Sequence, residues 1–183
     1  MSESQIIHII YKWRVRSGLL FALIALVFAR PSLYSLLIAF GLAIIGLAWR
    51  TWACGNLKKE KELTTSGPYK YTRNPLYLGN LILGIAMTIA AHSWIVLAFF
   101  IAYFLIFYPV LVNVEKKRMA ELFPKQYREY SAKVPLFFPS LRAKIVSEKS
   151  QFSWLLYKKN KEYRALIGAI LYWTALALKT IFF

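Results

Sequence analysis

Five apolar runs separated by polar stretches set the frame of this chain: 18–29, 33–49, 76–91, 93–114 and 165–178. About 20 apolar helical residues cross a bilayer core. The runs 33–49 and 93–114 meet that need, and 76–91 falls a little short of it. The run 18–29 holds only 12 residues. It spans if Trp13 and the basic stems beside it reach to the interface and lengthen the helix. The run 165–178 continues apolar to Phe183, and length alone leaves both a fifth span and an interfacial helix open. The expectation is an all-α, integral membrane helical bundle of four to five transmembrane helices.

The connections sort by character. Arg30-Pro31 and His92-Ser93 form short turns on one side. Pro109 is expected to kink the fourth run near its end. Residues 114–131 are basic and amphipathic, suited to an interface, and 136–139 form an apolar anchor. Residues 140–164 are basic and irregular, with Trp154 and Tyr157 expected at headgroup depth. The chain thus divides into a core over 1–139 and, over 140–183, a basic segment with a C-terminal apolar helix.

Composition sharpens this picture. Hydrophobic residues make up 58% of the 183 positions, which excludes an ordinary soluble domain. The net charge of +16 raises the question of nucleic acid, but placement answers it. Of 24 Lys and Arg, 21 fall in 1–16, 55–74 and 114–164. That distribution follows the positive-inside rule. It makes membrane lipids with anionic headgroups the natural partner, excludes nucleic acid and places the N-terminus in the cytoplasm. The single cysteine, Cys54, excludes an internal disulfide, and no Cys/His cluster suggests a metal. The first run lacks a small-residue cleavage site and is expected to be kept.

Candidate chemistry collects in 66–79, Ser-Gly-Pro-Tyr-Lys-Tyr-Thr-Arg-Asn-Pro-Leu-Tyr-Leu-Gly. Gly67-Pro68 signals a turn. Asn74-Pro75 signals a helix start, with Asn74 as cap and Pro75 in the first turn. Tyr69, Lys70, Arg73, Asn74 and Tyr77 therefore gather at the mouth of a membrane helix. Its free N–H groups and dipole favour an anion there. Asn80 lies one turn beyond Tyr77 on nearly the same face. The arrangement suits a cytoplasmic cofactor pocket.

This stretch resembles the signature of membrane methyltransferases of the isoprenylcysteine carboxyl methyltransferase and phospholipid methyltransferase type, Gly-x-Tyr-x-x-x-Arg-His-Pro-x-Tyr-x-Gly. A second block resembles the same family: Glu115, then Phe123, Tyr127 and Tyr130, then Val134-Pro135 and Pro139. The resemblance runs from Cys54 to Pro139, and two ordered blocks are more specific than either alone. It implies S-adenosylmethionine as cofactor. It also implies cofactor contacts at Lys61, Glu62, Leu63 and Thr64, at Tyr69, Arg73, Asn74, Pro75, Leu76 and Tyr77, and at Glu115. Arg73 or the helix start would hold the cofactor's carboxylate, and Glu115 its ribose hydroxyls or ammonium. Tyr69 and Tyr77 would flank the adenine or face the sulfonium. Four positions depart from the family: Lys61 stands for a frequent His, Asn74 for a His, Lys116 for a second Glu and Leu111 for a substrate-binding Arg. No catalytic residue is assigned.

Plainer readings stand beside these. Tyrosines at membrane edges usually form interfacial belts. Arg73 fits the positive-inside rule, and Glu115 has Lys116, Lys117 and Arg118 as neighbours. Cys54 reads first as a small buried residue, and His92 as a turn residue. The leading expectation is a methyltransferase acting on a lipophilic small molecule or lipid, with a carboxylate as acceptor. Phospholipid amine methylation and a non-catalytic binding or scaffold protein are the alternatives.

Overall fold

The computed structural model describes residues 3–59, 61–141 and 152–182. Residues 142–151 of the expected basic segment lie outside the described residues, as do Phe183 and the side chains of Lys12 and Arg14. Among the described residues the fold is all-helical, and no strand occurs. Among the described residues seven α-helices follow in order: α1 (Glu3–Phe28), α2 (Leu33–Asn56), α3 (Pro75–Ala91), α4 (Trp94–Leu122), α5 (Pro124–Lys133), α6 (Trp154–Lys159) and α7 (Tyr163–Phe182).

Among the described residues, three helices are long and apolar enough to cross a membrane: α2, α4 and α7. The apolar parts of α1 and α3 are shorter. The lead-in and the first apolar run form one continuous helix: no Pro occurs between Glu3 and Phe28, and the helix carries through Ser17-Gly18, where the Ser17 hydroxyl donates to the Trp13 carbonyl. The amphipathic stretch expected at 114–131 is divided. Helix α4 continues through Lys116, Lys117 and Arg118, all good helix formers, and stops at Phe123-Pro124. The proline lacks the N–H that an unbroken helix needs, but it suits the first turn of a new one. Pro109 sits inside α4.

The residues form two compact units. One comprises Met1–Ile44, Leu83–Val114 and Gly168–Phe183. Its buried positions include many small residues, among them Ala25, Ala39, Ala43, Ala86 and Ala90, beside larger ones such as Phe21, Phe100, Leu111 and Leu176. Other large apolar residues, such as Leu23, Val27, Ile38 and Leu105, face outward. In a bilayer that inversion is favourable, since lipid solvates the large side chains and small ones let helix backbones approach. Polar groups at the turns are satisfied within the unit. The Arg30 N–H donates to the Ala91 carbonyl at 2.7 Å, and Ser32 and Ser35 exchange hydrogen bonds at the start of α2. His92, with φ of 47°, ends α3 as a turn residue. Helix α7 contributes two ties: the Tyr172 hydroxyl donates to the Met87 carbonyl, and Lys179 Nζ to the carbonyls of Leu26 and Val27.

The other unit comprises Ile45–Ile82 and Glu115–Ile167. It contains every residue singled out for cofactor binding.

Candidate functional site

The signature stretch begins with a backbone that only glycine adopts readily. Gly67 has φ of +58°, and a Cβ there would come within 2.7 Å of the Asn56 side chain. A short 3₁₀ helix, Gly67–Lys70, follows and buries Pro68 and Tyr69. Thr72 is fully buried. Its hydroxyl accepts from the Asn74 N–H at 3.2 Å and donates to the Phe137 carbonyl at 2.7 Å. Asn74 sits at the N-cap of α3: its carbonyl accepts from the N–H groups of Tyr77 and Leu78, both at 3.1 Å. Pro75 is buried in the first turn, and its carbonyl accepts from Trp49 Nε1 at 3.0 Å.

The two sequence blocks meet through their backbones. The Arg73 N–H donates to the Pro135 carbonyl at 3.0 Å, and Asn74 Nδ2 donates to the Leu136 carbonyl at 2.8 Å. The Ser140 N–H donates to the Tyr71 carbonyl at 2.9 Å. The Tyr130 hydroxyl donates to the Tyr69 carbonyl at 2.7 Å. Residues 135–140, which include the apolar anchor expected at 136–139, thus also satisfy the irregular backbone of 69–74. Buried backbone groups outside helices need such partners.

Arg73 reaches toward the same block. Its Nη1 donates to the Tyr127 hydroxyl at 3.1 Å, and its guanidinium carbon lies 5.8 Å from the Tyr127 ring centroid. Its Nε is buried without a hydrogen-bond partner. An unpartnered buried N–H on a cation costs free energy unless a ligand accepts from it. An anion beside the N-terminus of α3 would fill that need.

Burial holds the Tyr69 phenol well above its ordinary range, and Cys54, Tyr130 and Glu115 push it further up while Arg50 draws it down. Glu115, just after the fourth apolar run, lies in the same compact unit as the signature. Burial likewise raises the Tyr130 phenol, with Arg73 opposing and Tyr127 adding.

The residues before the signature divide. Leu63 packs against Tyr127, Tyr130 and Val134 together with Met119 and Phe123. Thr64 is buried, and its hydroxyl accepts from the Lys58 N–H at 3.2 Å. Lys61 and Glu62 are exposed, and Glu62 pairs with Lys58 at 2.5 Å on the surface. Leu76 and Tyr77 are half-buried on the first turn of α3.

Sequence reasoning passed over Arg50 and Glu162. Glu162 is only 5% exposed. Its two oxygens accept from Arg50 Nε at 2.6 Å and Nη2 at 2.8 Å. Arg50 Nη1 donates to Asn80 Oδ1, and the Cys54 thiol lies 3.1 Å from Glu162 Oε2. The stem of Arg50 runs so close to Gly79 that a Cβ there would collide with it. Asn160 Nδ2 donates to the carbonyls of Cys54 and Leu57, and the Ser153 N–H to that of Gly55. One signal was visible in the sequence: Glu162 is a lone acid in a basic run, in a chain with eight acids. Among the described residues no group of three or more His, Cys, Asp or Glu could hold a metal ion.

Comparison with known proteins gives a consistent family. The model of a family described as phospholipid methyltransferase matches residues 14–126. The chain is 32% identical over 105 residues to the cobalt-zinc-cadmium resistance protein CzcN of Cupriavidus metallidurans, covering 57% of this chain and 48% of the relative. It is 29% identical over 100 residues to the nickel-cobalt-cadmium resistance protein NccN of Alcaligenes xylosoxydans xylosoxydans, covering 55% and 46%. The chain spans about half the length of the curated relatives it matches. No solved structure matches it.

Proposed function

This chain belongs to the phospholipid methyltransferase family, and from that premise we propose that it is an integral membrane methyltransferase using S-adenosylmethionine on a lipophilic acceptor. In this reading α1 and α3 span beside α2, α4 and α7, giving four to five crossings with the N-terminus and the site in the cytoplasm. The core is 1–139, and 140–183 adds the basic segment and the last helix. The observation that carries the reading is the unpartnered Arg73 Nε, buried beside the N-terminus of α3. It fits the carboxylate of the methyl donor.

Bound there, S-adenosylmethionine supplies an electrophilic methyl group on a sulfonium. The protein's part is alignment of the acceptor and exclusion of water. Arg73 and the Leu76 N–H at the helix start would hold the carboxylate. Glu115 would accept from ribose hydroxyls or the ammonium. Tyr69 and Tyr77 would offer aromatic faces to the cationic sulfur. Leu63 and Thr64 would close the pocket behind them, with Lys61 and Glu62 at its outer edge. An acceptor carboxylate needs no catalytic base, because it is ionised at neutral pH. That agrees with Asn74, which cannot take up a proton there.

A second acceptor class is favoured by the family's own description: the amine of a phospholipid headgroup. That route requires a proton to leave first. The names of the two relatives add a physical connection. Esterifying an anionic lipid removes negative charge from the surface that concentrates divalent cations.

Titration calorimetry on the detergent-solubilised chain tests the enzyme reading. Heat is expected with S-adenosylmethionine and with its demethylated product. No heat with either leaves a non-catalytic membrane protein of the same fold. Glu115→Ala and Tyr77→Ala should each weaken donor binding in a folded protein; normal affinity in both refutes the pocket. Membranes labelled with radioactive donor separate the acceptors: methyl esters release methanol in mild base, and methylated amines do not.

A further inference from the structure

The Arg50–Glu162 pair is not explained by stability. A buried ion pair loses hydration that its mutual attraction only partly restores, and two well-packed apolar residues often serve as well. Here, though, the pair is directional. Glu162 takes Nε and Nη2 of Arg50, which leaves Nη1 aimed at Asn80. Asn80 lies on α3, one turn after Tyr77, and the stem of Arg50 crosses α3 at Gly79. Glu162 itself comes from beyond residue 126, where the family match ends. Its segment is anchored beside Arg50 by Asn160 on Cys54 and Leu57.

We propose that Glu162 is a positioning residue of the methyl-donor site: it locks Arg50 onto Asn80 and so fixes the turn of α3 that carries Tyr77. The proposal rests on the methyl-donor reading of this unit. It makes the segment after the family-matched stretch a working part of the site. Without the Glu162 charge, Arg50 is a half-buried cation left with neutral partners, and the guanidinium turns away from α3. The first turns of α3 then lose the lateral hold that sets the face of Tyr77. Outer groups that orient metal ligands typically matter about tenfold or more in affinity, and an effect on that scale is expected here.

The 183-residue chain in detergent is titrated with S-adenosylmethionine, and its thermal midpoint is measured in parallel. Glu162→Gln keeps the size and is expected to weaken donor binding about tenfold. Adding Asn80→Asp to that variant returns a carboxylate to Arg50 from the α3 side, and is expected to restore most of the affinity. The apolar pair Arg50→Met with Glu162→Met is expected to keep the midpoint but not the affinity. Donor binding within about twofold of wild type in Glu162→Gln, or in the apolar pair, overturns the role. So does a loss of affinity in Glu162→Gln that Asn80→Asp leaves unrepaired. A wild-type chain that binds no donor overturns the methyl-donor reading and this role together. Wild-type binding with unchanged variants overturns this role alone.

Discussion

At the scale of single residues, the site depends on side chains that even similar residues could not replace. Gly67 combines a left-handed backbone with a neighbour that leaves no room for Cβ. Gly67→Ala therefore adds strain and displaces Asn56. A cost of about 1–3 kcal/mol is expected, read as a lowered thermal midpoint in detergent, with weaker donor binding. An unchanged midpoint would show that the turn relaxes freely. Asn74 illustrates a different economy. The family's histidine could exchange a proton; the asparagine instead spends its amide on the Leu136 carbonyl. Its contribution is to join the two blocks, and the chemistry proposed here asks no proton of it.

At the scale of elements, helix ends do the joining. The N-terminus of α3 is held by Trp49, by Thr72 and by the 135–140 segment, so its N–H groups are fixed before any ligand arrives. The C-terminus of α1 is held differently. Lys179 of α7 donates to the carbonyls of Leu26 and Val27, which are among the last and otherwise unsatisfied acceptors of α1. Lys179→Met keeps the apolar stem and removes the donor. It is expected to cost about 1 kcal/mol or more, seen as a lower midpoint in bicelles. A midpoint equal to wild type would mean that water reaches those carbonyls.

At the scale of the whole molecule, buried phenols tie stability to pH. Burial raises both Tyr69 and Tyr130 above their ordinary values. In the unfolded chain such phenols ionise near pH 10. The folded protein thus binds these protons more tightly, and its stability is fully present below about pH 10. Above that, it falls as pH rises toward the raised folded values. Thermal midpoints measured from pH 8 to 11 should hold steady and then drop, and the drop should be shallower in Tyr130→Phe. A flat profile to pH 11 would show that neither phenol is sealed from water.

Much of this was readable from the chain itself. Long apolar runs dictate helices, because a backbone in lipid has no other way to satisfy its N–H and C=O groups. Gly67-Pro68 and Asn74-Pro75 dictate a turn and a helix start through their own restricted dihedrals. These effects are local, so spacing reveals them, and Thr64, Tyr69 and Tyr130 take buried places, with Leu63 half-buried against the cluster that holds Tyr130, in the unit that holds the signature. The continuation of α4 to Leu122 was harder to see, since charge suggested an interface while helix propensity carried the backbone on. Other facts belong to tertiary structure alone. The partner of Arg50 lies 112 positions away at Glu162, and the acceptor for Asn74 lies 62 away at Leu136. Neither pairing leaves a periodic trace, because a hydrogen bond between distant segments is chosen by where the folded backbone brings them, and only the fold decides that.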